Sequence, residues 1–142
     1  MTCPIEDVEC IHLHEWLDER GVPHEHIPNE SRSGKKEAVI RGKKLKDMGV
    51  SRGYWDYDIY IPVLDLDRKI GAYELVKVEM KRANKNLSTV SKEQKDWGKI
   101  YEKSGIKGKI CYGAVQAEEY IENLYLEING EPLKEKRKKV EF

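Results

Sequence analysis

The stretch Ala72-Tyr-Glu-Leu-Val-Lys-Val-Glu-Met-Lys81 decides the fold. Apolar and charged residues alternate here at period two, the pattern of a β-strand with two unlike faces. Val76, Val78 and Met80 project to one side, and Lys77, Glu79 and Lys81 project to the other. Upstream, Tyr57 to Leu64 alternates in the same way, with Tyr57, Ile59 and Ile61 on one face and Asp58 and Tyr60 on the opposite one. The polar turn Asp65-Leu-Asp-Arg-Lys-Ile-Gly71 joins the two segments, so they read as an antiparallel hairpin. In a hairpin the start of the first strand lies beside the end of the second, which brings Asp56 next to Glu79.

Working outward, residues 5–20 read as a helix, because Val8, Ile11, Leu13, Trp16 and Leu17 recur at helical spacing and Gly21 then stops it, followed by Pro23. His24 to Pro28 forms a short strand leading into a polar loop. Lys36 to Met48 is a weaker helix, interrupted by Gly42 and ended by Gly49. On the other side of the hairpin, Ser91 and Gln94 make a capping-box start for a helix running to Ser104 and closed by Gly105. A strand over 106–113 and a helix over 114–126 complete the order. Helices distributed around a central mixed β-sheet make an α/β or α+β domain. The expected domain covers 1–128, and a polar, partly basic tail covers 129–142.

The chain has 142 residues, 37% of them charged and 39% hydrophobic, with a mean hydropathy of -0.75. That length suits one domain burying roughly two-thirds of its unfolded surface under a heavily charged exterior. No apolar run approaches the ~20 residues that a membrane span needs, and the first residues lack the features of a secretory signal, so a cytoplasmic location is expected. The three cysteines, Cys3, Cys10 and Cys111, form no short-spaced pair, which argues for reduced thiols rather than a disulfide framework or a cysteine-rich zinc module. His12-x-His14 and His24-x-His26 invite a zinc reading. A tetrahedral site needs further ligands, however, and His12 and His14 point about 200° apart on a helix.

Net charge is zero, yet the segments alternate: −7 over 1–30, +6 over 31–52, −3 over 53–80, +6 over 81–110 and −2 over 111–142. A fold that brings the two basic segments to one side, with acids between them, would have a phosphate-attracting rim around an acidic centre, the layout of a metal-dependent nuclease; the alternative is that the Lys-rich segments are solvated faces. The basic residues placed for such contacts include Lys43, Lys44 and Arg52 in the first segment and Arg82 and Lys85 in the second. A divalent metal such as Mg²⁺ takes hard oxygen ligands, and Asp56 with Glu79 supplies two carboxylates. Lys81, one pleat beyond Glu79, stands where an amine can hold or polarise a water. The spacing acid-x-Lys occurs three times, at Asp67, Glu79 and Glu93, but only Glu79 and Lys81 lie on one face of a strand. Asp58 shares a strand face with Asp56 and competes with it. Gln94 has a helix-capping role available whatever else it does.

These residues together resemble the VRR-NUC family of the PD-(D/E)XK nuclease superfamily, in its stand-alone phage and bacterial form. The resemblance rests on Gly53-Tyr-Trp-Asp56, Val78-Glu-Met-Lys81 and Ser91-Lys-Glu-Gln94-Lys-Asp-Trp97, with His26-Ile-Pro-Asn-Glu30 and the order of later elements extending it over roughly residues 5–126. It implies an α/β restriction-endonuclease-like core and Mg²⁺- or Mn²⁺-dependent hydrolysis of DNA phosphodiester bonds. It implies further that Asp56, Glu79 and the main-chain carbonyl of Met80 are metal ligands, that Lys81 orients or activates the attacking water, and that Gln94 positions the site. Glu6 resembles the family's N-terminal acidic position, and Glu9 is its rival on the same helix. The stand-alone members act as homodimers on four-way (Holliday) junctions, so branched DNA and a homodimer are expected. Trp55 stands where the family has proline, leaving the backbone of Asp56 less constrained. The alternative expectation is therefore a DNA-binding module of the same fold without catalysis.

Overall fold

In a computed structural model, which describes residues 5–28 and 43–136, the central hairpin is formed by β2 (Tyr57–Leu64) and β3 (Ile70–Lys81). The remaining elements are α1 (Glu6–Glu19), β1 (His24–His26), a 3₁₀ turn at Lys85–Leu87, α2 (Lys92–Lys103), β4 (Lys107–Tyr112) and α3 (Ala114–Asn129), with β3 numbered between β2 and β4. The four strands form one sheet in the order β1-β2-β3-β4, antiparallel except for the parallel β3–β4 pair. Helices cover the sheet, so the domain is α/β with a central mixed sheet. Of the expected helix over 36–48, the described residues 43–47 are helical; the rest lies outside the described residues, as do Cys3, Asn29 and Glu30.

The alternation read from sequence separates the two faces of the sheet. Tyr57, Ile59, Ile61, Val76, Val78 and Met80 are buried on one face. They pack with Leu13, Leu17, Ala117 and Ile121 of α1 and α3 into one core. Each such aliphatic side chain contributes about 1.5–3 kcal/mol by leaving water. The inward stripe of α1 is Cys10, Leu13, Trp16 and Leu17, whereas Val8 and Ile11 are exposed, which corrects the stripe expected from sequence. Apolar type alone did not separate them: Cys10 continues the i, i+3, i+7 line through Leu13 and Leu17, and Val8 and Ile11 fall off it. Cys10 and Cys111 are free, buried thiols, each pushed up to about 12, chiefly by burial.

Two helix starts are built by side chains. Ser91 Oγ accepts from Gln94 N at 3.1 Å while Gln94 Oε1 accepts from Ser91 N at 3.0 Å, the reciprocal capping box expected for α2. Glu9 of α1 accepts from Ala114 N at 2.5 Å, placing a carboxylate on the N-terminus of α3. The last helix runs three residues beyond its expected end, to Asn129, and Gly130 closes it at φ 72°. The extension has a tertiary cause: the Asn129 side chain accepts from Leu64 N and donates to the Pro62 carbonyl, both at 2.9 Å, tying the helix end to β2. Residues 131–136 then turn back along α1, where Lys136 N donates to the Glu19 carbonyl at 3.0 Å.

Candidate metal centre

The polar face of the hairpin carries the site. The register Tyr57↔Val78 puts Asp56, just ahead of β2, opposite Glu79, and Lys81 lies one pleat further along the same face. Asp56, Glu79 and Lys81 are all buried, at 6%, 2% and 7% exposure, which is unusual for three ionisable side chains. Burial must therefore be offset by partners. Asp56 Oδ2 accepts from Met80 N at 2.8 Å, so the Met80 peptide borders the acid pair while its side chain lies in the core. Lys81 Nζ stands 3.6 Å from Glu79 Oε2. Gln94, at the start of α2, donates from Nε2 to Glu79 Oε2 at 3.0 Å and accepts from Lys81 Nζ at Oε1, also at 3.0 Å. The same amide thus caps its helix and bridges the acid and the amine.

Asp56 and Glu79 are both held above the usual carboxylate range, chiefly by burial. Burial raises both, and the charge of Asp56 with its hydrogen bond raises Glu79 further, to about 9, against the opposing pull of Lys81. The charge of Glu6 adds to the rise at Glu79, which places Glu6 near the pair, whereas Glu9 is engaged at the start of α3. Two carboxyl groups pressed together among buried surroundings, with a third acid nearby, form a hard-oxygen donor set that fits a divalent cation. The His14–Asp18–His24 cluster lies apart, on α1 and β1.

Asp58 has a different partner. It pairs with Lys77, which is 2% exposed and also donates to Tyr54 OH. Burial alone would lower the Lys77 pKa; Asp58 and Tyr54 reverse this and hold it above its ordinary value. The buried ion pair was missed in the sequence, although the hairpin parity that places Asp58 opposite Lys77 was the signal for it.

Trp55 anchors the loop ahead of Asp56 by tertiary contacts. Its indole N–H donates to the Gln94 carbonyl at 2.9 Å, and its backbone N–H donates to Tyr101 OH at 3.3 Å. The ring is wedged between Gly98 and Gly108: a Cβ built at either would stand 2.9 Å from it. Gly53, at φ 79°, presses equally closely on the start of α2, where a Cβ would stand 2.6 Å from Glu93. The loop ahead of Asp56 is therefore fixed by its packing against α2.

Of the basic residues expected to contact DNA, Lys43, Lys44, Arg52 and Lys85 are exposed, and Arg82 is half-buried. Lys85 Nζ lies 5.0 Å from the Tyr112 ring centroid, and Arg82 N donates to Ser88 Oγ at 3.2 Å. Of the aromatics nearby in sequence, Trp55 and Tyr57 are buried, Tyr54 is half-buried and Tyr60 is exposed.

A mixed four-stranded sheet flanked by helices, with an acid pair and a lysine on one hairpin face, defines an α/β domain with a restriction-endonuclease-like core. Consistent with it, the chain matches a solved structure described as a VRR_NUC domain protein, at a TM-score of 0.63 over 91% of this chain and 93% of that one, with 20% sequence identity. No protein-family model matches the sequence, and no curated protein does. Among the described residues no helix is long and apolar enough to cross a membrane.

Proposed function

We propose that this protein is a divalent-metal-dependent DNA endonuclease of the VRR-NUC type. The observation that carries the reading is the buried Asp56–Glu79 acid pair with Lys81 beside it, bridged to α2 by Gln94. Asp56, Glu79, the Met80 carbonyl and Glu6 are the groups proposed to hold Mg²⁺ or Mn²⁺. The bound metal supplies Lewis acidity to the scissile phosphate and lowers the pKa of the attacking water. A cation held there would favour the ionised form of both carboxyls, against the burial that raises them. Lys81, oriented by Glu79 and Gln94, would hold the attacking water and offset the charge that develops on the phosphate oxygens. Hydrolysis is direct, with no covalent intermediate. Lys43, Lys44, Arg52, Arg82 and Lys85 are proposed to track the DNA backbone. The preferred substrate is branched DNA, such as a four-way junction, cut by a homodimer in the cytoplasm of a bacterial or phage-infected cell.

The test compares a labelled four-way junction with a linear duplex of matching sequence, in Mg²⁺, Mn²⁺ or EDTA, for wild type and Lys81→Ala. Junction cutting that needs metal and falls at least about 100-fold in the variant is the expected result. Equal cutting of both substrates would retain the centre and remove the branched preference. Tight, salt-sensitive binding without cutting in any metal would replace the nuclease with a binding module of the same fold.

A further inference from the structure

We propose that His14, Asp18 and His24 form a second metal site, on the surface, that takes a transition ion such as Zn²⁺ and is separate from the carboxylate centre. His14 and Asp18 lie one turn apart on α1, and His24 opens the neighbouring edge strand β1. His24 Nδ1 lies 2.8 Å from the Val22 carbonyl, a contact that only an N–H can make. The tautomer is thereby fixed, leaving the Nε2 lone pair directed at His14, whose Nδ1 is 2.7 Å away. Anchoring one imidazole nitrogen on a carbonyl is how metal-binding histidines are oriented. His14 Nε2 in turn lies 3.4 Å from Asp18 Oδ2.

The run Val22 carbonyl, His24, His14, Asp18 contains three contacts. A cation at this cluster would take one nitrogen from each histidine and a carboxylate oxygen of Asp18. One ligand atom from each residue already lies within 4.8 Å of the others. The corresponding edge of a tetrahedral zinc site is about 3.3 Å, for Zn–N bonds of about 2.0 Å. The His14 and Asp18 side chains are 55% and 63% exposed, so small rotations about their χ angles close the difference without disturbing the core. Both histidines also line an open cleft of about 430 Å³, which gives an ion access. His12 takes no part, being paired with Glu118 at 3.0 Å.

Two imidazoles and one carboxylate, with a position left for water, are borderline-soft donors suited to Zn²⁺, Co²⁺ or Ni²⁺. Mg²⁺, which demands six oxygens, has no comparable site there. An ion so held would tie the second half of α1 to the edge strand β1.

The experiment is calorimetric titration of Zn²⁺ into the full chain and into His14→Ala, His24→Ala and Glu79→Gln, with Co²⁺ absorbance as a report of four-coordinate geometry. The expected result is one ion per chain at a Kd on the order of micromolar, weakened more than about 100-fold in either histidine variant and retained in Glu79→Gln. Circular dichroism checks the fold, and the exposed position of His14 makes His14→Ala decisive if His24→Ala perturbs β1. Absence of binding up to about 1 mM, or binding that survives loss of both histidines, or binding lost only in Glu79→Gln, would overturn the proposal.

Discussion

The raised pKa of Glu79 makes stability depend on pH in a direction opposite to that of an ordinary salt-bridged acid. Glu79 rises from 4.5 to about 9 on folding, through burial first and the Asp56 charge second. The folded state therefore holds a proton that the unfolded chain releases, and stability is lost as pH rises above the unfolded value. Between pH 5 and pH 8 the linkage integral for such a group is about 4 kcal/mol, a large part of the 5–15 kcal/mol typical of a domain. The assay is thermal unfolding in EDTA across pH 5–9 for wild type and Glu79→Gln, whose amide keeps the shape without the ionisation. The wild-type Tm is expected to fall relative to the variant by about 10 °C over that window, at roughly 2–4 °C per kcal/mol. Millimolar Mg²⁺, by binding the ionised pair, should restore most of the difference at the alkaline end. Parallel Tm curves for the two proteins in EDTA would refute the raised Glu79 pKa and with it the case for a preformed cation site.

Other consequences can be measured separately. Asp58→Ala strands the buried Lys77 ammonium and should cost about 3 kcal/mol in urea unfolding, whereas Asp58→Leu with Lys77→Met should recover most of it; a cost for the single variant below about 1 kcal/mol would mean that Lys77 finds water. Gln94→Ala removes the capping box and both bridges to the acid–amine pair, so it should cost about 1 kcal/mol and lower cleavage at least tenfold with DNA affinity unchanged. A matching loss of affinity in a filter-binding assay would show that Gln94 contacts DNA instead. Gly98→Ala drives a methyl against the Trp55 ring and should destabilise by about 1–3 kcal/mol, whereas Gly105→Ala, with open space around its Cβ, reports only the strain of its positive φ. Equal effects would remove the wedge from the account of the site.

What the sequence disclosed, and what it hid, follows from the range of the interactions involved. Alternation along Tyr57–Leu64 and Ala72–Lys81 is a local signal, and the turn between them fixes which ends meet, so the Asp56, Glu79 and Lys81 constellation was legible before any coordinates. The capping box at Ser91 and Gln94 was legible for the same reason: its partners are three residues apart. The second role of Gln94, bridging Glu79 and Lys81, depends on how α2 docks on the sheet. That docking is set by Trp55 fitting against Gly98 and Gly108, three positions whose mutual fit has no periodic signature. Read along the chain, Trp55 was a missing proline; in the folded protein it replaces local rigidity at φ with tertiary packing. The Lys77–Asp58 pair shows the intermediate case, since parity across the hairpin predicts the contact but not that α2 and its aromatic residues would cover it.

The histidines argue the same point from the other direction. Sequence spacing drew attention to His12-x-His14 and His24-x-His26 as pairs, and neither pair is the cluster that forms. Helical geometry sends His12 to Glu118 and His14 to His24, and the i, i+4 step adds Asp18. A ligand set assembled from one residue of each pair is invisible to spacing rules, which recognise sites whose ligands arrive in close couples. The carboxylate centre escaped that limit because one hairpin carries its two acids and its lysine. The proposed second site depends instead on where α1 lies against β1. The two sites would accordingly differ in how they respond to damage. Loosening α1 at its Leu13 or Leu17 contacts should abolish zinc uptake while the hairpin keeps Asp56 beside Glu79.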